Sequence, residues 1–241
     1  MKISQIYNLL NTISPFELQE KWDNSGLNVG SMDKNIEQIY LSLDVDKQML
    51  QAVKPQSLII THHPLIFGSL SCLKFDKYPS NLLEIMIKKE ISLIAMHTNF
   101  DKTHLNSYVF SNILGFTPTN SQEYILTTKE KTWQKEELCS MLKQKLSLEK
   151  LKIVNPKDTI ESIALITGSG ASMMDTIDAQ CLLTGDIKYH DAMKAISQDL
   201  MMVEIGHYES EIFFGDILKG CLKVLPIPAI ITNSKNPFSI L

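Results

Sequence analysis

Two adjacent histidines, His62 and His63, end the apolar run LIITHH and are followed at once by Pro64. Imidazole suits Zn, Fe, Ni and similar ions, so such a pair is a candidate for metal chemistry. Successive side chains on a strand point to opposite faces. The pair therefore serves one ion only if the backbone turns between its members, and two neighbouring ions more easily. Pro64 fits that arrangement, because it holds His63 extended and stops strand pairing. In HTNFD, His97 and Asp101 straddle a strand end and the loop beyond it; Asp101 is a carboxylate ligand or, alternatively, a helix N-cap. HYESE sets His207 and Glu211 four apart in a first helical turn, stacked on one face within reach of one ion or of adjacent ions. TGDIKYH offers Asp186 and His190 at the same spacing, and spacing alone does not say which pair ligates. His104 and Cys72 sit in nearby loops as bystanders, since thiolate ligation needs more cysteines than this region has.

Two glycine-bearing stretches complete the set. TGSGAS (167–172) could cradle a phosphate or carboxylate with its amides, but it has neither the GK[ST] of a nucleotide-binding loop nor a full GxGxxG, so it reads as a strand-to-helix turn. WDNSGLNVG (22–30) reads as a polar loop.

These residues must be positioned by the elements around them. The pattern predicts helices over 1–12, behind Ser14-Pro15, from Asp46, after Ser80, up to Leu114 with Gly115 as its stop, and over WQKEELCSMLKQKL, KYHDAMKAI and ESEIFFGDILKG. Strands are predicted over 39–45, 57–63, 91–97, EYILTTK, IESIALIT, CLLTGD, LMMVEIG and PAIIT. Strands alternating with helices argue for an α/β class with apolar strands covered on both faces. Four strands end in ligand-competent residues, at 62–63, 97–101, 186 and 207–211. In α/β sheets, ligands gather beyond the carboxyl ends of strands. The turn around 115–132 is the best division, giving modules 1–125 and 126–241.

Composition excludes several alternatives. The chain has 241 residues, 23 Lys+Arg against 27 Asp+Glu, and no basic cluster beyond Lys88-Lys89, which argues against nucleic-acid backbone binding. No run approaches the roughly 20 apolar residues of a membrane span. The amino terminus reads as an amphipathic helix, not a signal peptide. Four scattered cysteines fit reduced thiols, so the cytoplasm is the expected compartment.

WDNSGLNVG, THHPLIF, HTNFD, TGDIKYHDA and GHYESE, in that order across nearly the whole chain, resemble the NGG-interacting-factor-three-like family of dinuclear metal-centre proteins, often described as GTP cyclohydrolase I type 2 homologues. The resemblance implies two intertwined α/β modules, layered α/β/α with mixed sheets, in the form without an inserted middle domain. The C-terminal segment would pack back on the first module. It also implies a ring-like homohexamer and two divalent ions per subunit, with Zn, Fe, Mn, Co and Ni all compatible. Carried over by position, one ion is held by His63, Asp101 and Glu211, and the other by His62, His207 and the same Glu211 as a bridge. Asp186 and His190 match a motif near the site but outside the usual ligands, and are candidates for substrate contact. His97 is expected to orient a ligand or transfer a proton. Where relatives commonly carry a Gly-Gly loop after the ligand aspartate, this chain has DKTHLNS. The implied activity is hydrolysis of GTP to 7,8-dihydroneopterin triphosphate and formate by metal-activated water. The alternatives are a metal-binding regulatory or interaction protein, and a two-metal hydrolase of another nucleotide or phosphoester.

Overall fold

A computed structural model describes residues 1–232 and 234–239. Contacts divide the chain into two compact units: Met1–Phe100 with the segment from Phe214 onward, and Asp101–Phe213. The chain leaves its first unit at Phe100 and re-enters it at Phe214, so the units are intertwined in sequence. The boundary drawn from sequence at 125/126 lies elsewhere. Ile125–Thr128 pairs antiparallel with both Asn120–Gln122 and Ile163–Ile166, which ties the chain ahead of residue 125 to the second unit. Asp101 falls in that second unit as well.

The first unit is built on a mixed sheet whose strands run in the order Gly26–Val29, Ser92–Ala95, Leu58–Thr61, Ile39–Ser42, Ala229–Ile231. Gly26–Val29 is antiparallel to its neighbour, and the other pairings are parallel. All four residues of each central strand are buried, the pattern of strands covered on both faces. On one face Tyr40, Ile59 and Leu93 pack with Met49 and Leu50 of helix Lys47–Ala52 and Leu82, Leu83 and Met86 of helix Ser80–Lys88. Helix Phe214–Cys221 packs against Ile39–Ser42 and Ala229–Ile231. Asp46 caps Lys47–Ala52 by accepting from the Met49 amide, as expected of an aspartate there. The sequence predicts a loop over 22–30, but Gly26–Val29 is a strand. Its three non-glycine residues are too few to show alternation, and only pairing with Ser92–Ala95 makes them a strand.

The second unit carries a sheet in the order Asn120–Gln122, Ile125–Thr128, Ile163–Ile166, Cys181–Thr184, Met201–Glu204, Lys152–Val154. Ile163–Ile166, Cys181–Thr184 and Met201–Glu204 run parallel, so their carboxyl ends lie at one edge of the sheet. Ala164, Ile166, Leu182 and Met202 form its core with Met174, Ala195 and Leu200. Helix Lys135–Leu146 buries Leu138, Leu142 and Leu146, one residue per turn. Among the described residues no helix is long and apolar enough to cross a membrane.

Candidate metal centre

In the first unit, strand Leu58–Thr61 ends just before the histidine pair, yet the His62 and His63 amides still donate to the Ser42 and Leu43 carbonyls at 3.2 and 3.0 Å. The backbone turns there: the Thr61 hydroxyl donates to the His63 carbonyl at 2.7 Å, and the two rings approach with centroids 4.9 Å apart. An undisturbed strand would send them to opposite faces. His97, just beyond strand Ser92–Ala95, stands 5.2 Å from the His62 ring and 5.5 Å from the His63 ring. One ligand atom from each of the three lies within 4.8 Å of the others.

The same hydrogen bond orients all three rings. Nδ1 of His62 meets the Met96 carbonyl at 2.9 Å, Nδ1 of His63 meets Asp44 Oδ1 at 2.9 Å, and Nδ1 of His97 meets Asp23 Oδ1 at 2.8 Å. Carbonyl and carboxylate oxygens only accept, so each Nδ1 carries a hydrogen and donates it, and Nε2 is the ring atom turned away from that partner. Such a partner fixes the tautomer of a metal-binding histidine and raises its basicity.

Asp23 is the most heavily engaged of these partners. Its side chain is wholly buried and accepts from His97, from the Asn24 and Thr98 amides, and from the Ser25 and Thr98 hydroxyls. Burial alone would raise its carboxyl pKa, but the His97 and Thr98 donors outweigh that and hold it well below the usual carboxylate range. A group lowered in the folded state stabilises the fold above its unfolded pKa, and that contribution is lost as pH falls through the folded value. Asp23→Asn, with one acceptor replaced by a donor facing donors, should cost about 3 kcal/mol at neutral pH. Thermal unfolding should show this as a fall of roughly 6–12 °C.

In the second unit, Asp101 opens a wide, π-helical turn, Asp101–Leu105, that directly continues the short helix Thr98–Phe100. It is therefore neither in a loop nor an N-cap. No residue from 101 to 107 has positive φ, so DKTHLNS has no backbone need for glycine. Asn106 tethers this turn: its side-chain amide donates to the Asp101 carbonyl at 3.3 Å, and its oxygen accepts from the Thr167 amide at 2.8 Å.

His207 and Glu211 share helix His207–Glu211, after strand Met201–Glu204. His207 repeats the arrangement of the first unit. Its Nδ1 meets Asp186 Oδ2 at 2.6 Å, while Nε2 lies 3.1 Å from Glu211 Oε2. Burial alone would lower the His207 pKa, but the hydrogen bonds to Asp186 and Glu211 overcome it and raise the pKa to about 10. The His207 hydrogen bond in turn lowers the Asp186 carboxyl. Glu211 is only 3% exposed. Asp186 thus stands behind His207, and also accepts from the Ser169 hydroxyl at 2.9 Å. His190 is exposed on helix Tyr189–Ser197, edge-on to Tyr189, outside this hydrogen-bonded set.

Two glycines, Gly168 of the glycine-rich turn and Gly185 beyond it, make room for His207 and Glu211. Gly168 has φ +60°, and a Cβ there would lie 2.1 Å from Glu211 Oε1; a Cβ on Gly185 would lie 2.6 Å from the Gly168 carbonyl oxygen and 2.8 Å from His207 Cα. The Gly168 amide donates to the Ser210 hydroxyl at 3.1 Å, and that hydroxyl donates to the His207 carbonyl at 2.9 Å. Sequence reasoning found the histidines and acids but missed Asp23, Asp44 and these two glycines. Asp44 lies just past a strand, where the strand-end rule would have found it. Asp23 is 74 residues from His97, and nothing in the spacing joins them.

Fold and site together define an α/β protein that carries, in each of two units, imidazoles with Nδ1 tied to an oxygen and metal-competent donors beside them. The chain belongs to the Duf34/NIF3 (NGG1p interacting factor 3) family, whose model matches residues 1–237. It is 46% identical over 239 residues to a Campylobacter jejuni protein named GTP cyclohydrolase 1 type 2 homolog, with 99% of each chain aligned. It is 42% identical over 240 residues to a Helicobacter pylori protein named GTP cyclohydrolase 1 type 2, again with 99% of each covered. Among solved structures, a Staphylococcus aureus hypothetical protein superposes with a TM-score of 0.86 at 23% identity, covering 100% of this chain and 99% of that one. A Bacillus cereus protein related to NIF3 gives 0.83 at 17%, with the same coverage. These two similarities concern the fold.

Proposed function

We propose that the chain is a dinuclear-metal-dependent hydrolase, specifically a GTP cyclohydrolase I type 2 converting GTP and water to 7,8-dihydroneopterin triphosphate and formate. One observation carries the metal reading. His62, His63, His97 and His207 each have Nδ1 engaged by an oxygen acceptor, the support that makes Nε2 the atom each would present to a metal. The substrate reading follows from family membership and from the names of the relatives. The proposed ligands are His62, His63, Asp101, His207 and Glu211. Divalent ions held by this set would supply Lewis acidity and bring the pKa of a bound water toward neutrality.

The remaining work falls to the chain. Asp44 and Asp186 hold the His63 and His207 rings, and the Met96 carbonyl holds His62. With two divalent ions bound, Asp101 and Glu211 would set two negative charges against four positive ones, and the positive charge left over would suit a triphosphate. Water would add at guanine C8 and open the five-membered ring to a formamide, a second water would release formate, and after rearrangement of the ribose the remainder would reclose with loss of one water, so that one water is consumed overall. The same reading includes a homohexamer, which native mass spectrometry checks.

The test is an assay of chelator-treated and metal-reloaded protein with GTP, other nucleotides and a generic phosphodiester, following formate and phosphate separately. Formate from GTP alone, lost on chelation and restored by metal, is the expected result. Phosphate from several substrates would replace the substrate assignment, and metal binding without either product would make this a regulatory metal protein.

A further inference from the structure

We propose that Trp22 and Phe67 form a stacking platform for the purine base of a nucleotide, beside the histidines of the first unit. The inference rests on the functional reading above and deepens it by assigning residues to base binding; the five proposed metal ligands stay as they are.

Two large aromatic rings are left open to solvent beside a polar site. Trp22 is 61% and Phe67 51% exposed. They come from separate segments, yet both stand against the same imidazole, His97, with ring centroids 5.9 and 5.5 Å away and planes at 74° and 88° to it. Neither is stacked on His97, so each keeps ring surface that a flat partner can cover.

Both rings are held from behind. Trp22 lies inside the turn that the Asp23 amide closes on the Glu20 carbonyl at 3.0 Å. The Glu20 amide in turn donates to the Thr98 hydroxyl at 2.9 Å, and the wholly buried Asp23 carboxylate accepts from the Asn24 and Thr98 amides. Phe67 follows directly on Leu65 and Ile66, which pack into the core of the first unit. The Asn24 side-chain amide donates to the Ile66 carbonyl at 2.6 Å and so links the two segments. Rings on anchored backbone take up a flat ligand with little loss of freedom.

The place of the platform points to its ligand. His97 is 5.2 Å from the His62 ring and 5.5 Å from the His63 ring. A base on the platform therefore lies beside proposed metal ligands, where the C8 of a purine has to come. Every base has a π face, so the platform holds adenine as well as guanine, and the choice of guanine is made by other groups.

The test reads binding and turnover separately. The chain has two tryptophans, so Trp133→Phe leaves Trp22 as the only reporter. In that protein, loaded with metal, GTP and ATP should both quench Trp22 fluorescence, while inorganic tripolyphosphate, which has no base, should not. The difference between wild type and Trp22→Phe supplies the same signal if Trp133→Phe does not fold. Trp22→Ala and Phe67→Ala should each raise the KM for GTP by roughly 5- to 150-fold, the range for one base on one ring. Because a platform holds ground state and transition state alike, kcat should stay within about threefold and metal content should not change. Trp22→Phe should recover most of the affinity, and Trp22→Leu, apolar but not flat, should not. Formate release at an unchanged KM in both alanine variants would overturn the platform and leave the functional reading standing. Quenching by tripolyphosphate as strong as by GTP, or full recovery with leucine, would overturn it too. Quenching by GTP and ATP without formate would support the platform and remove the cyclohydrolase. Neither quenching nor formate would overturn both.

Discussion

Glu211→Ala should release formate from GTP about a thousandfold more slowly than wild type and lose at least half of the bound metal, without a matching loss of stability. The carboxylate is buried, with its oxygen 3.1 Å from His207 Nε2, and a buried carboxylate needs a cation beside it. In the metal-free chain that cation is the His207 imidazolium, which Asp186 and Glu211 favour against the opposing effect of burial. Removing Glu211 leaves His207 still paired with Asp186, so no charge is left buried without a partner and the cost to folding stays small. Metal-free Glu211→Ala should therefore melt within about 4 °C of metal-free wild type, a difference near 1 kcal/mol. Loss of activity and metal together with a large drop in melting temperature would make Glu211 a structural residue instead.

Gly185→Ala and Gly168→Ala should fail in different ways. At Gly185 the added methyl would meet backbone on both sides, the Gly168 carbonyl at 2.6 Å and His207 Cα at 2.8 Å, and no side chain can swing away. Relief requires moving the turn or the start of the His207 helix, at about 3 kcal/mol, so thermal unfolding should fall by roughly 6–12 °C. At Gly168 the obstacle is Glu211 Oε1, the end of a side chain that can rotate, so packing costs less. The backbone there is left-handed, which adds about 1–2 kcal/mol for a residue with a Cβ. The larger effect should be on metal, because the displaced carboxylate is a proposed ligand; affinity should fall by about 10–100-fold, measured by competition with a chromogenic chelator. Equal affinities for Gly168→Ala and wild type would remove Glu211 from the ligand set.

How much of this was legible in the sequence differs from element to element. The central strands are continuous apolar runs and the main helices are amphipathic, so both could be read locally. Gly26–Val29 could not, because its strand character comes from a partner more than sixty residues away. Nor could the division of the chain, since the pairing of Ala229–Ile231 with Ile39–Ser42 is a long-range choice that local pattern does not encode. His62, His63, Asp101, His207 and Glu211 were visible as imidazole and carboxylate near strand ends, but so were Asp186 and His190 at the same spacing, and only the family resemblance chose between the two pairs. Asp23 was hidden because its function is a hydrogen bond across 74 residues, and Asp186 declared its role only once His207 Nδ1 was seen against it. The glycine-rich turn offered a choice between anion cradle and plain turn. Its geometry adds a third role, the clearance that lets Glu211 and His207 occupy their places.

The most direct test of the central proposal is carbon-13 magnetic resonance of metal-loaded protein incubated with GTP labelled at guanine C8. The account predicts that the label appears as formate, and that it does not with chelated protein or with Glu211→Ala. Label that stays in the intact guanine ring while the same metal-loaded preparation releases phosphate would contradict it.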